Sequence, residues 1–562
     1  MYRHADHRNH PCGFLRYLFC GAMRLYDTEG GKLDLMGKLA VVVMICLATG
    51  FSYPEAKAES QPARSANIEE IRKLAVDGRV DAQFYMGFMY ERGDGVVKDY
   101  AEALKWYLKA AEQGHVGAQT NAGILYFKGE GTAQDYAEAA KWYRKAALQG
   151  NVTARFNLGL MYYKGQGVAR DYAEAAKWYL KAAEQGHSGA QFNLGLMLSK
   201  GEGVVQDFAE ACKWYRKAAA QGNAAAQFSL GLMYYKGQGV QQNYVEAAAW
   251  YRKSAEQGNV GAQFNLGYMY EMDQGVAGSN AESAKWYRLA AEQGHAGAQS
   301  NLGYIYDIGE GVPQDHAEAA KWYRKAALQG NAGAQLNLGV MYDNGHGVSR
   351  DYAEAAKWYL KAAEQGDVTA QYNLGVKYAT GVGVAVNNAE AAKWYLRAAL
   401  QGHEISQVNL GRLYEKGEGI AQDYAQAIKW YGKAADQDNS DAQFSLGLMY
   451  SNGEGIPPNF AEAAKWYRRA ADQGNATACY NLAILYYRGQ GVARDYAEAV
   501  KLLKEVADQD DADVHFTLGC LYYKGQGVGE DHAEALKWFK KAADKGHKDA
   551  AYYVNLIGQG KH

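Results

Sequence analysis

Proline, cysteine and net charge are all scarce in this chain, and each scarcity removes a class of answer. Six prolines in 562 residues, against sixty-five glycines, leave helices free to run and hand the turns to glycine. Sixty basic and sixty-two acidic residues nearly cancel, so the chain lacks the electrostatic footprint of a nucleic-acid binder. Beyond residue 58 only Cys212, Cys479 and Cys520 remain, an odd count without recurring spacing. They read as isolated packing cysteines, not as a disulfide framework. There is no H-E-x-x-H and no G-x-S-x-G, and no nucleophile–base pair stands outside the repeating pattern described below. The apolar run Leu39 to Phe51 is too short for a membrane span.

What the chain has is order. Its twelve tryptophans are Trp106, Trp142, Trp178, Trp214, Trp250, Trp286, Trp322, Trp358, Trp394, Trp430, Trp466 and Trp538. All lie on one ruler of 36 residues, with a single slot missed at Leu502. A fixed period of this size marks a solenoid of stacked supersecondary units. Each unit then packs mainly on its neighbours, so the length does not translate into several globular domains.

Residues 151–186 show the unit. Ala154, Leu158, Met161 and Tyr162 recur at helical spacing and share one face, and Gly159 lets a partner helix approach. Gly165-Gln166-Gly167 ends that helix and turns the chain. A second helix starts at Asp171, whose carboxylate can accept the free first-turn amides while Glu174 can reach back. Ala173, Ala176, Ala182 and Ala183 permit close contact, Trp178 and Tyr179 fill volume, and Gly186 closes the helix. Thirteen such units run through residues 79–546, which predicts an all-α, αα-superhelical solenoid of antiparallel helix pairs. Residues 59–78 and 547–562 read as capping segments, each with a lone helix. Departures predict soft joints: Asp273 for a loop glycine, Asp438 for a closing glycine, and Ala483, Leu502 and Asp510 together in the twelfth unit.

The pattern A-x-x-x-L-G-x-x-Y-x-x-G-x-G-V-x-x-D-Y-A-E-A-x-K-W-Y-x-K-A-A-x-Q-G resembles the Sel1-like repeat, a relative of the tetratricopeptide repeat. The resemblance covers almost all of the chain after the N-terminal segment. It implies a right-handed superhelix and a scaffold or adaptor role, often in exported bacterial proteins. In the tetratricopeptide relatives, three variable slots of the first helix, spaced i, i+4 and i+7, point into the concave groove. Here the first slot is mostly Phe, as in Phe84, Phe156 and Phe192, and reads in part as core. The third slot varies most. It holds Tyr163, Tyr235, Tyr487 and Tyr523, with Glu271, Asp307 and Asp343 on successive middle units, and Tyr268 and Tyr304 stand beside the acids. Tyrosine on a rigid surface is interface chemistry, apolar in body and polar at its tip. These nine residues are the expected partner-binding groove, and the acids are expected to form a stripe that favours a basic or amide-rich segment.

No cofactor or metal is expected. His115, His187, His295, His403 and His547 follow the closing glycine where other units place Asn or Asp, so they read as turn residues. Ligands one unit apart would not converge on one ion. The expected function is a non-enzymatic, exported scaffold for a protein or peptide partner, a host protein or an envelope signalling component. Two other readings stand beside it. One is a β-lactamase-like hydrolase, associated with a relative carrying two cysteines per unit, which this chain lacks. The other is a regulator of the envelope or of polysaccharide export.

The N-terminal segment supports export. Lys38, the apolar run and Ala56-Lys57-Ala58 follow the order of a signal peptide over residues 36–58. Met36 stands where such a peptide starts, which makes residues 1–35 a mis-assigned start or an extended n-region. The mature chain is then periplasmic or secreted, with no membrane span. N-terminal sequencing of the mature protein is expected to begin at Glu59, after cleavage at Ala58; recovery of uncut residues 1–58 on a cytoplasmic protein would refute this.

Overall fold

The computed structural model describes residues 68–509 and 511–559. The segment 36–58 read as a signal peptide, with Ala58 and Glu59 at its expected cleavage point, and Asp510 lie outside the described residues. Among the described residues there are 28 α-helices, one short 3-10 turn and no strand. Ile68–Val76 precedes thirteen helix pairs and Ala550–Gly558 follows them, so the fold is an all-α solenoid. By contact the chain divides into two compact units between Ser279 and Asn280, inside the sixth repeat. The first unit holds Ile68–Val76, five complete pairs and Val260–Glu271. The second begins with Asn280–Glu292, holds seven pairs and ends with Ala550–Gly558.

The third repeat shows how the sequence makes a pair. Val152–Lys164 and Tyr172–Glu184 run antiparallel, because the Asp171 amide reaches back to the Tyr162 carbonyl at 3.0 Å while Gly159 meets Tyr179. Between them Gly165 and Gly167 take φ of 71° and 67°, which side chains resist. Gly167 has a second reason to be glycine. A Cβ there would lie 2.1 Å from the carbonyl oxygen of Tyr136, so the loop rests directly on the backbone of the preceding repeat.

Tyr179 is fully buried against Gly159, where a Cβ would approach its ring to 2.8 Å. Trp178 closes a different space. It seals the cluster formed by Tyr143 of the preceding second helix and Leu158 and Met161 of its own repeat's first helix. The tryptophan ruler is therefore the ruler of inter-repeat packing. Lys181 lies over the indole, 4.4 Å from the ring centroid.

Both ends of each pair are capped. Asp171 accepts the Glu174 amide at 3.0 Å, and Asn151 accepts the Ala154 amide at 2.8 Å. The reach-back expected of Glu174 is replaced by an ion pair with Lys177 at 2.6 Å, since the neighbouring ammonium is the stronger partner.

The units that depart from the pattern replace part of what they lose. In the twelfth repeat Ala483 faces not a tyrosine but Leu503, and both are fully buried with Leu502 in one cluster. The missing glycine and the missing aromatic thus occur together in one buried cluster. Asp273 and Asp438 adopt the left-handed φ of a glycine, 53° and 63°, at a cost of roughly 1 kcal/mol each. Each recovers part of that with a contact glycine could not make: Asp273 Oδ1 accepts the Gly278 amide at 2.8 Å, and Asp438 pairs with Arg469 at 2.8 Å.

Gly159→Ala is expected to cost about 1–3 kcal/mol, the range for overpacking a filled core. Tyr179→Leu added to it should return part of the loss, as the natural Ala483–Leu503 pair does. Denaturant melts of the two variants check this; a double variant less stable than the sum of its singles would refute the compensation.

Candidate partner-binding face

The first helices carry the sequence-predicted site, and the structure places all nine residues half-buried on them or at their C-terminal ends. None is a freely exposed anchor. In the first unit the Tyr163 hydroxyl donates to Glu202 in the next repeat's loop at 2.8 Å, and its ring meets Tyr172 edge-on. Burial first, and then the Glu202 carboxylate, hold this phenol well above its ordinary range, so it stays a donor. Tyr235 repeats the arrangement with Gln274 at 3.0 Å and Tyr244. Tyr268 and Glu271 share the last first helix of this unit, Val260–Glu271.

In the second unit Tyr304 packs beside the cluster of Tyr323 and Leu338. Tyr487 meets Tyr496, and Tyr523 lies among His532, Phe539 and Tyr553. The two acids here each have a partner. Asp307 meets His316 Nδ1 at 2.7 Å. Asp343 pairs with Lys377 and accepts the Tyr359 hydroxyl at 3.4 Å. Lys377 stands in the slot that holds Met341 one repeat earlier, is only 6% exposed, and has Tyr352 4.7 Å from its ammonium. A lysine among Met, Leu and Ile residues at the same slot was the signal for this pair. Without its partner a buried ammonium carries a heavy desolvation penalty, so Asp343 is structural first.

Two amide rows also escaped the sequence reading. A glutamine at the fifth position of most repeats donates to the end of the preceding second helix, as Gln119 does to Ala111 O at 3.0 Å. The same glutamine accepts from the glutamine closing its own repeat, Gln149, at 2.8 Å. Arg155 and His515 take this place in two repeats and still bond the preceding second-helix end, at Ala147 O and Ala507 O, whereas Cys479 bonds Leu502 O in the second helix of its own repeat. The second row is asparagine at the seventh position, in nine of thirteen repeats. Asn157, Asn193 and Asn265 are buried, and Asn193 Oδ1 accepts no hydrogen bond among the described residues. It faces a recess of about 10 Å³ lined by Leu160, Tyr163, Tyr179, Leu196 and Met197. That is room for one water at most, so this face offers a surface and not a pocket.

Four of the five turn histidines prove to be caps, and His547 is the exception. Nδ1 of His115, His187 and His403 accepts the amide three residues on, at 3.0, 3.1 and 3.2 Å. His115 and His187 also stack on Phe84 and Phe156, with centroids 4.4 Å apart. The Phe slot is thus spent on packing against the next repeat. No group of three or more His, Cys, Asp or Glu among the described residues is placed to hold a metal. Burial raises the Cys212 thiol and pushes Cys479 and Cys520 up to about 11, so none of the three is a thiolate nucleophile at neutral pH.

Comparison with known proteins agrees with this architecture. The Sel1 repeat model matches thirteen times in succession, from residues 80–115 to 512–547. Among solved structures, the chain is similar to c5321, a protective antigen of uropathogenic Escherichia coli with an SLR fold. They share 36% identity over 81% of this chain and 90% of that one, with a TM-score of 0.48. A Sel1 repeat protein from Oxalobacter formigenes is also 36% identical, over 58% of this chain and 97% of that one, with a TM-score of 0.45. Immunity protein Pa5087 from Pseudomonas aeruginosa is 20% identical over 38% and 81%, with a TM-score of 0.25. A search of curated proteins found no match.

The histidine caps make stability depend on pH. Burial lowers the pKa of His115, His187 and His403 below the ordinary 6.5, against weaker opposing pulls from Asp81 on His115 and Glu404 on His403. The neutral ring is the capping form, so the contribution is complete above about pH 6.5. It declines as pH falls through that value, because the unfolded chain takes up protons first. Amide exchange, corrected for intrinsic rates, is expected to rise at about pH 5.5 in the second, fourth and tenth repeats relative to the asparagine-capped third, fifth and eighth. His115→Asn, His187→Asn and His403→Asn together should remove the difference; its survival would refute the cap origin.

Proposed function

Since the chain belongs to the Sel1 repeat family, whose scaffold generally serves protein–protein interaction, we propose that it is an exported, non-enzymatic scaffold. It holds a protein or peptide partner along the face of its first helices. The observation that carries this reading is the asparagine row. The asparagine at this position serves the stack, as Asn193 does by bonding the buried Tyr179, yet Asn193 Oδ1 is left over beside two tyrosines with no partner among the described residues. Amides recurring in nine of the thirteen units, with phenols between them, suit the alternating donors and acceptors of an extended polypeptide. Tyr163, Tyr235 and Tyr268 with Glu271 are the anchors of this reading in the first unit. Tyr304, Asp307, Asp343, Tyr487 and Tyr523 are those of the second. A host or envelope protein is the kind of partner proposed. The three raised thiols support a binding role over hydrolysis by a cysteine nucleophile.

The test is affinity capture with residues 59–562, followed by binding of the captured partner to two variants. Tyr163→Ser with Tyr235→Ser should weaken binding about tenfold or more while helical content holds. His115→Asn with His187→Asn keeps the caps and should bind as wild type. Normal binding by the tyrosine variant would move the partner to another face.

A further inference from the structure

The second helices carry a second regularity, and one repeat breaks it. In every repeat but the fifth, a lysine directly precedes the tryptophan or, in the twelfth, Leu502. Three residues earlier stands a glutamate, or Gln426 in the tenth. All eleven repeats that keep both residues form the ion pair, at 2.5–3.8 Å. In two of these repeats the ammonium also lies over the following indole, 5.9 Å from the centroid for Lys141 on Trp142 and 5.7 Å for Lys285 on Trp286. In the fifth repeat the glutamate and the tryptophan remain as Glu246 and Trp250, and the lysine is Ala249.

A cleft of about 580 Å³ opens at this place, lined by Arg216, Tyr234, Val240, Asn243, Glu246 and Trp250 among others. The Glu246 side chain has neither a hydrogen bond nor an ion pair among the described residues, and it is exposed where Glu174 is half-buried. Trp250 keeps Lys253 4.2 Å from its ring, a cation that most repeats supply from the other direction along the helix. Arg216 acts on Glu246 through space while its guanidinium donates to Tyr234 at 2.9 Å. That neighbouring cation does not fill the vacancy. In the twelfth repeat the equivalent Glu498 holds Arg468 at 2.9 Å and Lys501 at 3.8 Å together, so the position takes two cations.

We propose that this cleft is a docking site for a lysine side chain of a partner polypeptide, whose ammonium takes the place of the missing residue 249 amine. The carboxylate of Glu246 supplies the charge and the indole of Trp250 the cation–π face. The stem of a lysine would lie along the cleft beside Val240 and Trp250. The site lies on the second-helix side of the fourth and fifth repeats and does not depend on the first-helix reading. It assigns the partner a basic residue at that point.

The experiment uses the intact chain and three peptides: acetyl-Gly-Lys-Gly-amide, the same peptide with norleucine, and the same peptide with acetyl-lysine. The readout is the indole N–H resonance of Trp250, identified by its loss in Trp250→Phe. The lysine peptide is expected to shift that resonance with a dissociation constant in about the millimolar range, as one exposed ion pair and one cation–π contact allow. The other two peptides should not. Ala249→Lys installs the residue that twelve other repeats carry, so it should fold and close the site, weakening binding about tenfold or more. Glu246→Gln should weaken it about threefold or more. Binding of the norleucine or acetyl-lysine peptide equal to that of lysine, or undiminished binding by Ala249→Lys, would overturn the proposal.

Discussion

A buried tyrosine ring pressed against a helical glycine sets the spacing on which the rest of the array depends. In the third repeat the contact is Tyr179 on Gly159. It fixes the distance between the two helices of a pair, because a Cβ would have to occupy the ring's own volume. With that distance set, the adjacent tryptophan faces the previous repeat and closes the inter-repeat cluster. The loop glycine Gly167 then rests on backbone one repeat back. The three contacts are linked by register, so an insertion anywhere would break all of them at once. That is a physical reason for a period that never slips across 468 residues, 79–546.

Most of the fold was legible for the same reason. Packing that recurs must be written in residues that recur, and the capping aspartates, the glycines and the tryptophans could be read off one unit. What was missed is instructive. The glutamine row was invisible because glutamine at a helical position usually means a solvated face. Only the structure shows Gln119 buried and bonded at both ends of its amide. The turn histidines were read correctly as turn residues but not as caps, since the stacking of His115 on Phe84 depends on contact between repeats. The partners of the acids were missed because the sequence places Asp343 on a face without saying what else reaches it. Lys377 does, from the neighbouring repeat.

The exceptions follow a rule. Where one packing residue changes, its contact partner has changed too: Ala483 with Leu503, and Lys377 with the acid at 343. Where a glycine becomes aspartate, the carboxylate gains a hydrogen bond, as at Asp273 and Asp438. Coupled neighbours are what a packed interior demands, since each single change costs more than the pair. In an interior of this kind, a change that carries its compensation records maintenance of the stack.

A change without compensation has another meaning, and that separates the two kinds of departure in this chain. Ala249 removes an ammonium and leaves both of its contacts, Glu246 and Trp250, unaltered. The surface position is exposed, so stability places little demand on it. Asn193 is the buried counterpart, an amide retained although one of its atoms is left unbonded. Uniform repeats provide their own internal reference, against which an uncompensated position stands out. The two found here lie on different faces of the first compact unit, one on the first helices and one on the second. A scaffold built from identical parts acquires specific points of attachment by such local irregularities, because the regular part of each unit is committed to its neighbours.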